Sequence, residues 1–399
     1  MPNPRSEGGH YEWLDFLRFV AAMLVVLAHV RGTVFQEYGV LNPENRNILV
    51  ALFYAFARLG HEAVVVFFVL SGYLVGGKAL ERIANDSFIP TDFAIDRITR
   101  IWIPLVPALL LSGLLTRETN DISTWIGNLL GLQGTLVSPL GENGPLWSLA
   151  YEIWFYVLTY AIGKQAGRKH IDLLALLLIG VTALIFTKLE VQYLACWLIG
   201  AAFYLRPHRF TKLRGLCFSG LLCAGAIAGL QLTGNGFMSK VSGFEALRPS
   251  LEMLLAVGTG IGCVTLVTLK SSRISTLAPP LAAFSYTLYL THNPLLIALR
   301  QSGWERIPPA GLKAAMIYSL AVATCMLVAW LNYLIFERNT SSVRRWMKAW
   351  TLPVGPRTLM KRPQHTHGEM APDESDSSCP GHRMVSDVVS LSEGKGKTS

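Results

Sequence analysis

Apolar runs long enough to cross a bilayer recur along most of this chain. They lie near residues 14–31, 50–77, 100–116, 147–163 and 172–187, then 190–205, 216–232, 250–270, 281–300 and 312–336. A hydrocarbon core about 30 Å thick offers no water to a bare peptide group, so each run must satisfy its own backbone as a helix. The chain therefore reads as all-α, a polytopic membrane helical bundle with about ten transmembrane helices, some of which fit only with tilt or local thinning. Thr124 to Val137 is shorter and interrupted by glycine, which places it at the interface. Composition agrees, with 51% hydrophobic residues against 15% charged. The first run has a polar lead, Met1 to Glu12, and no small-residue cleavage site, so it is expected to stay as the first transmembrane helix.

A net charge of +9 would raise the question of nucleic acid in a soluble protein. Here the basic residues fall in short connections between apolar runs, where they act as topology signals. With the amino terminus inside, Lys78, Arg82, Arg97 and Arg100 share one inner loop, and Arg206, Arg209, Lys212 and Arg214 another. The opposite loops hold fewer, including Arg31, Arg46, Arg300 and Arg306. That asymmetry predicts both termini in the cytoplasm. From about Arg338 the text turns polar, so 1–340 reads as the membrane domain and 341–399 as a largely disordered cytoplasmic tail. Arg338, Arg344, Arg345 and Lys348 would sit at the inner headgroups.

The six cysteines show no CxxC pairing and five lie in or beside apolar runs, which makes them free thiols with no metal expected. Without GxGxxG, a Walker loop or HExxH, nucleotide hydrolysis and zinc chemistry have no support.

The polar residues inside the apolar runs carry the chemistry. Arg18 and His29 are eleven apart, three helical turns plus about 20°, so they project from one face roughly 16 Å apart. Arg18 can snorkel to lipid phosphate or pair with Asp15 three residues back. An intramembrane histidine more often faces a polar cavity or a partner. His61 and Glu62 open the second helix at the outer level. Ser148 and Glu152 are four apart and share a face, and His292 and Asn293 fall past the midpoint of an outward-running helix. These four segments are expected to hold His or Glu at a similar outer depth, while Lys78, Arg97 and Arg100 cluster with Arg18 at the inner end. A basic inner mouth suits a polyanionic cytoplasmic ligand. An outer His/Glu cluster suits proton abstraction from a hydroxyl. A donor with phosphates at one end, a thin arm and a thioester at the tip would connect the two levels, and acyl-coenzyme A has that shape.

At these residues the chain resembles the membrane acyltransferase-3 family, integral membrane O-acyltransferases that modify bacterial surface glycans and related acceptors. The resemblance spans roughly residues 11 to 340. It rests on Arg18 and His29 within LDFLRFVAAMLVVLAHV, on FFVLSGYLVG from Phe67, on Arg97 and Arg100 in DRITRIWIPL, on WSLAYEIWFY from Trp147 and on SYTLYLTHNP. Tyr151 and Thr291 depart from the commonest pattern, which bears on acceptor choice more than on the reaction.

The resemblance implies transfer of an acyl group, usually acetyl, from cytoplasmic acyl-coenzyme A to a hydroxyl of a carbohydrate-containing acceptor at the outer side. It implies a protein of the bacterial cytoplasmic membrane, with acyl-coenzyme A as co-substrate and no tightly bound cofactor. His29 is the expected general base or transient acyl carrier, with Glu152 or Glu62 holding its tautomer, and His292 a second candidate base. Arg18, Arg97 and Arg100 would hold the donor's phosphates, and His61, Glu62, Ser148 and Asn293 would support the acceptor. Ser148 also suits a helix start, Ser71-Gly72 close helix packing, and Tyr286 and Tyr289 bundle or interfacial positions. The main rival reading is a secondary transporter whose His and Glu relay protons. A catalytically silent scaffold for glycan assembly would suit the chain only if His29 were dispensable.

Overall fold

The computed structural model describes residues 11–116, 121–168, 170–205, 211–233, 245–269 and 272–351. In chain order these form α1 (Glu12–Val34), α2 (Ile48–Phe56), α3 (Gly60–Ser71), a π-helical turn (Gly72–Gly76), α4 (Gly77–Ala84), α5 (Pro90–Leu115), α6 (Ile122–Leu129) and α7 (Trp147–Ala166). They continue as α8 (Leu173–Phe186), α9 (Val191–Leu205), α10 (Lys212–Thr233), α11 (Arg248–Leu266), α12 (Ser272–Ala283), α13 (Ser285–Gln301), α14 (Gly311–Ile335) and α15 (Thr340–Thr351). No strand element occurs among the described residues. Among the described residues six stretches are long and apolar enough to cross a bilayer, and the chain is an integral membrane protein. The polar segment beginning at residue 341 starts as α15, and residues 352–399 lie outside the described set.

Local chemistry explains where several helices begin. Asn47, Asp121 and Asp172 each accept a backbone N–H three residues ahead, at 3.0 Å, from Val50, Thr124 and Ala175. Pro90 opens α5, where its missing N–H would have had no partner.

α1 is the hub of the bundle and packs against α3, α12, α13 and α14. α13 also packs against α5, and α9 against α3, the π turn and α11. The motif around Ser71 and Gly72 serves packing. A side chain at Gly72 would collide with the Trp197 carbonyl, and one at Gly200 with that of Val69. The largest buried cluster joins Phe68, Tyr151, Phe155, Tyr193 and Trp197, with aromatic centroids 5.1 to 6.2 Å apart. Exposed leucines such as Leu221 on α10 and Leu320 on α14 mark the outward faces. Below the bundle α15 is clamped to α5 by Lys348 and Asp96 at 3.1 Å, while Trp346 and Trp350 stay exposed. The five cysteines of the described residues are free thiols.

Candidate active site

α1 carries its two polar residues into two different cavities. The cavity at its amino-terminal end measures about 540 Å³ and is lined by Arg18 of α1, Lys78 of α4, Arg97 and Arg100 of α5, and Ser148, Glu152 and Tyr156 of α7. Tyr286 and Tyr289 of α13 complete it. The three arginines singled out from the sequence therefore converge, although the chain separates Arg18 from the other two by a complete hairpin.

Their surroundings differ. Arg18 donates to Asp15 at 2.8 Å. Arg100 donates to Glu337 Oε1 at 2.7 Å, and the second oxygen of Glu337 accepts from Thr287 at 2.5 Å. Arg97 has no ion pair among the described residues, its guanidinium lying 5.4 Å from the Tyr156 ring centre and 5.9 Å from that of Phe93, as that of Arg100 lies 5.3 Å from Tyr286. Its buried Nε has no hydrogen-bond partner among the described residues. An arginine stacked on rings and lacking a carboxylate keeps its donors available for an arriving anion. Glu152 belongs with these arginines, since it lines the same cavity and accepts the Tyr156 hydroxyl at 2.5 Å. The expected depth shared with His29 is thus corrected: α7 delivers Glu152 to the level of the arginines.

The second cavity, about 420 Å³, is lined by His29, Arg31, Arg58, His61, Trp147, Tyr289, Asn293 and Arg300. His29 Nδ1 lies 2.8 Å from the carbonyl of Val25, one turn back on the same helix. A carbonyl only accepts, so Nδ1 carries the proton and Nε2 keeps its lone pair. The backbone, rather than Glu152 or Glu62, fixes this tautomer. His292 repeats the arrangement with Leu288 at 3.1 Å, and its buried Nε2 has no partner among the described residues. The two imidazole centres are 5.0 Å apart. His61 stacks on Trp147 at 13°, and its Nε2 lies 2.7 Å from Glu252, which also accepts Arg248 at 3.1 Å. Glu62 faces a third cavity of about 500 Å³, where its Oε1 accepts Gln231 at 2.7 Å.

Tyr289 lines both of the first two cavities. Its hydroxyl donates to the Pro145 carbonyl at 2.8 Å, so the Ser148 hydroxyl, 2.7 Å away, donates to it. The segment before α7 is bent for this task, with left-handed φ of 57° at Gly141 and 55° at Glu142. Pro294 explains why that segment docks on α13. Lacking an N–H, it leaves the carbonyl of Leu290 unpaired, and Asn143 Nδ2 donates to that carbonyl at 3.2 Å. Asn293 Nδ2 reaches the Glu142 carbonyl at 3.4 Å. The two levels of the site are consequently divided by a hydrogen-bonded partition of Tyr289, Ser148 and Pro145.

Sequence reasoning passed over Glu337, Asn143 and the dividing role of Tyr289, and treated Arg31 and Arg300 only as topology charges. Pro294 inside an apolar helix was the one signal that pointed toward the partition, because a helix carbonyl without its donor needs another.

A family profile described as an acyltransferase domain, the acyltransferase-3 profile, matches residues 11–334. An O-acetyl transferase of Shigella phage Sf6 is 32% identical over 162 residues, covering 36% of this chain and 44% of that protein. Acyltransferase MdmB of Streptomyces mycarofaciens is 29% identical over 162 residues, covering 39% of this chain and 40% of its own length. The chain thus matches less than half the length of either relative. No solved structure matches it.

Proposed function

This chain belongs to the acyltransferase-3 family, and from that premise we propose that it transfers an acyl group, acetyl in the simplest case, from cytoplasmic acyl-coenzyme A to a hydroxyl of a glycan or glycolipid at the outer side of a bacterial cytoplasmic membrane. One observation carries the reading: an arginine-lined cavity and a histidine-lined cavity meet at the shared wall of Tyr289.

The proposal assigns ten crossings, by α1, α3 continuing into α4, α5, α7, α8, α9, α10, α11, α13 and α14, with both termini inside. The membrane domain then ends near residue 340, α15 lies along the inner surface with Trp346 and Trp350 at headgroup level, and the remaining tail is cytoplasmic. Arg97 is the principal anchor for the donor's phosphates, because Arg18 and Arg100 already hold carboxylates. Donor phosphates would compete with Asp15 and Glu337 for those two side chains.

In the transfer step the acceptor oxygen attacks the thioester carbonyl while His29 Nε2 takes the hydroxyl proton. The carbon–sulfur bond breaks, and the proton passes to the departing thiolate to give coenzyme A. His292, with the same tautomer 5.0 Å away, is the second group able to accept or return that proton. His61, Asn293 and Ser148 line or border the acceptor's space, and Glu62 supports its far edge.

The test uses purified full-length protein in lipid nanodiscs with acetyl-coenzyme A and a panel of bacterial surface glycans. Acceptor-dependent thiol release, matched by one added acetyl mass on the glycan, is the expected result. Absence of thiol release with every acceptor would overturn the reading, and acceptor-independent proton flux in liposomes would favour the transporter alternative.

A further inference from the structure

The third cavity adjoins the histidine-lined one, since Arg58 and His61 line both. His61 is a fixed post at that junction, stacked on Trp147 at 13° and held by Glu252 at 2.7 Å. Beyond it the wall is built by Glu62 in the first turn of α3, by Gln231 and Thr233 at the end of α10, and by Glu245 and Arg248 where α11 begins.

Three acceptors of this chamber are left without a proton to take. Glu62 is only 6% exposed, and its buried Oε2 has no hydrogen-bond partner among the described residues. The amino-terminal turn of α3 favours a negative charge there but brings that oxygen no donor. Gln231 must turn its NH2 to the other oxygen of Glu62, at 2.7 Å, because a carboxylate only accepts, and this leaves its amide oxygen as an acceptor. Thr233 gives its hydroxyl proton to the Leu230 carbonyl at 2.9 Å and keeps its lone pairs. A buried carboxylate oxygen without a donor is costly, and one in a cavity wall is answered by a bound molecule or by water.

The charges of the wall cancel, Glu62 and Glu245 against Arg58 and Arg248. A phosphate entering here would meet the unpaired oxygen of Glu62, and an ammonium would meet two guanidinium groups. A sugar hydroxyl supplies the missing proton and adds no charge. The volume, about 500 Å³, lies in the range that takes small ligands.

From this we propose that the third cavity is a second sugar subsite, taking the neutral residue linked to the one whose hydroxyl meets His29, so that the glycan is recognised as at least a disaccharide. Calling that glycan the acceptor rests on the acyl-transfer reading; the subsite stands on the cavity itself.

The test is a ligand-observed NMR titration of the full-length protein in lipid nanodiscs, free of glycoside detergent. The probes are methyl glycosides of glucose, galactose, mannose, rhamnose and N-acetylglucosamine, and for each a disaccharide linking that sugar to a second neutral hexose. At least one disaccharide is expected to bind about tenfold more tightly than its methyl glycoside. Glu62→Gln and Gln231→Ala should each cut that advantage to about twofold or less while the methyl glycoside keeps its affinity, which also shows that the variant is folded. No disaccharide advantage with any sugar would make water the occupant and overturn the proposal. An advantage that survives both variants, or the loss of methyl glycoside binding in both, would overturn it equally. Tighter binding of disaccharides whose second residue is glucuronate or glucosamine would overturn the neutral assignment. None of these titrations involves thiol release, so a failed acyltransferase assay and a failed subsite are distinguishable.

Discussion

The two cavities along α1 handle positive charge in opposite ways. In the arginine-lined one, Arg18 and Arg100 each hold a carboxylate, and Arg97 has no ion pair among the described residues and lies against the Tyr156 and Phe93 rings. In the histidine-lined one, no carboxylate lines the wall among the described residues, and His29 and its neighbour His292 take their tautomers from backbone carbonyls one turn back, while His61 is held by Glu252. The contrast teaches that a bundle can hold a base and an anion grip in separate cavities along one helix. A carboxylate beside an imidazole would raise its basicity but compete for any cation nearby, whereas a carbonyl fixes the proton on Nδ1 and adds no charge.

The comparison is broken most directly at His29. If the outer level does the proton chemistry, His29→Ala should lower kcat by about 10²–10⁴ while the KM for acyl-coenzyme A stays put. A change confined to donor KM would erase the division of labour. Arg97→Ala tests the other side, with donor KM expected to rise by about one to two orders of magnitude and kcat by comparison little affected. If Arg100→Ala instead gave the larger rise, the carboxylate pairing would not distinguish the two arginines.

Glu337 sharpens the comparison through stability. Glu337→Gln removes the counter-charge of the Arg100 guanidinium, and because that side chain is 36% exposed the expected loss is about 2–3 kcal/mol, less than for a fully enclosed pair. A fall in the thermal midpoint in nanodiscs, with donor still bound, would fit a structural clamp. The smallest effect belongs to Asp172, a control outside both cavities. The Ala175 N–H, with Lys164 and Arg168 nearby, holds its carboxyl below the usual carboxylate range. Its contribution to stability is therefore complete at neutral pH and is lost as pH falls through the depressed value. Asp172→Asn should flatten the acid limb of the stability profile slightly and leave transfer at neutral pH unchanged.

Much of this layout is legible in the sequence, because helical periodicity fixes which residues share a face. Arg18 and His29 at eleven residues, and Ser148 and Glu152 at four, occupy the faces expected of them. What periodicity does not fix is depth relative to other helices. The loop before α7 carries left-handed residues and lets that helix sit so that Glu152 meets arginines rather than His29. Glu337 was hidden for a different reason: it directly follows the last apolar run, where the text reads as the start of a polar tail. Arg31 and Arg300 looked like loop charges because nothing in a linear reading says that separate connections fold over one chamber. The family resemblance supplied the reaction class, and the geometry supplied the partners of each side chain.

A bundle with this many ionisable groups would, if hollow throughout, let protons and ions run down the gradient that energises the host membrane. The bar formed by Tyr289, Ser148 and Pro145 stands between the two cavities. Under the proposed reaction, insulation is thereby assigned to three uncharged groups, and a slender acyl arm would have only to push one phenol aside to reach the far chamber.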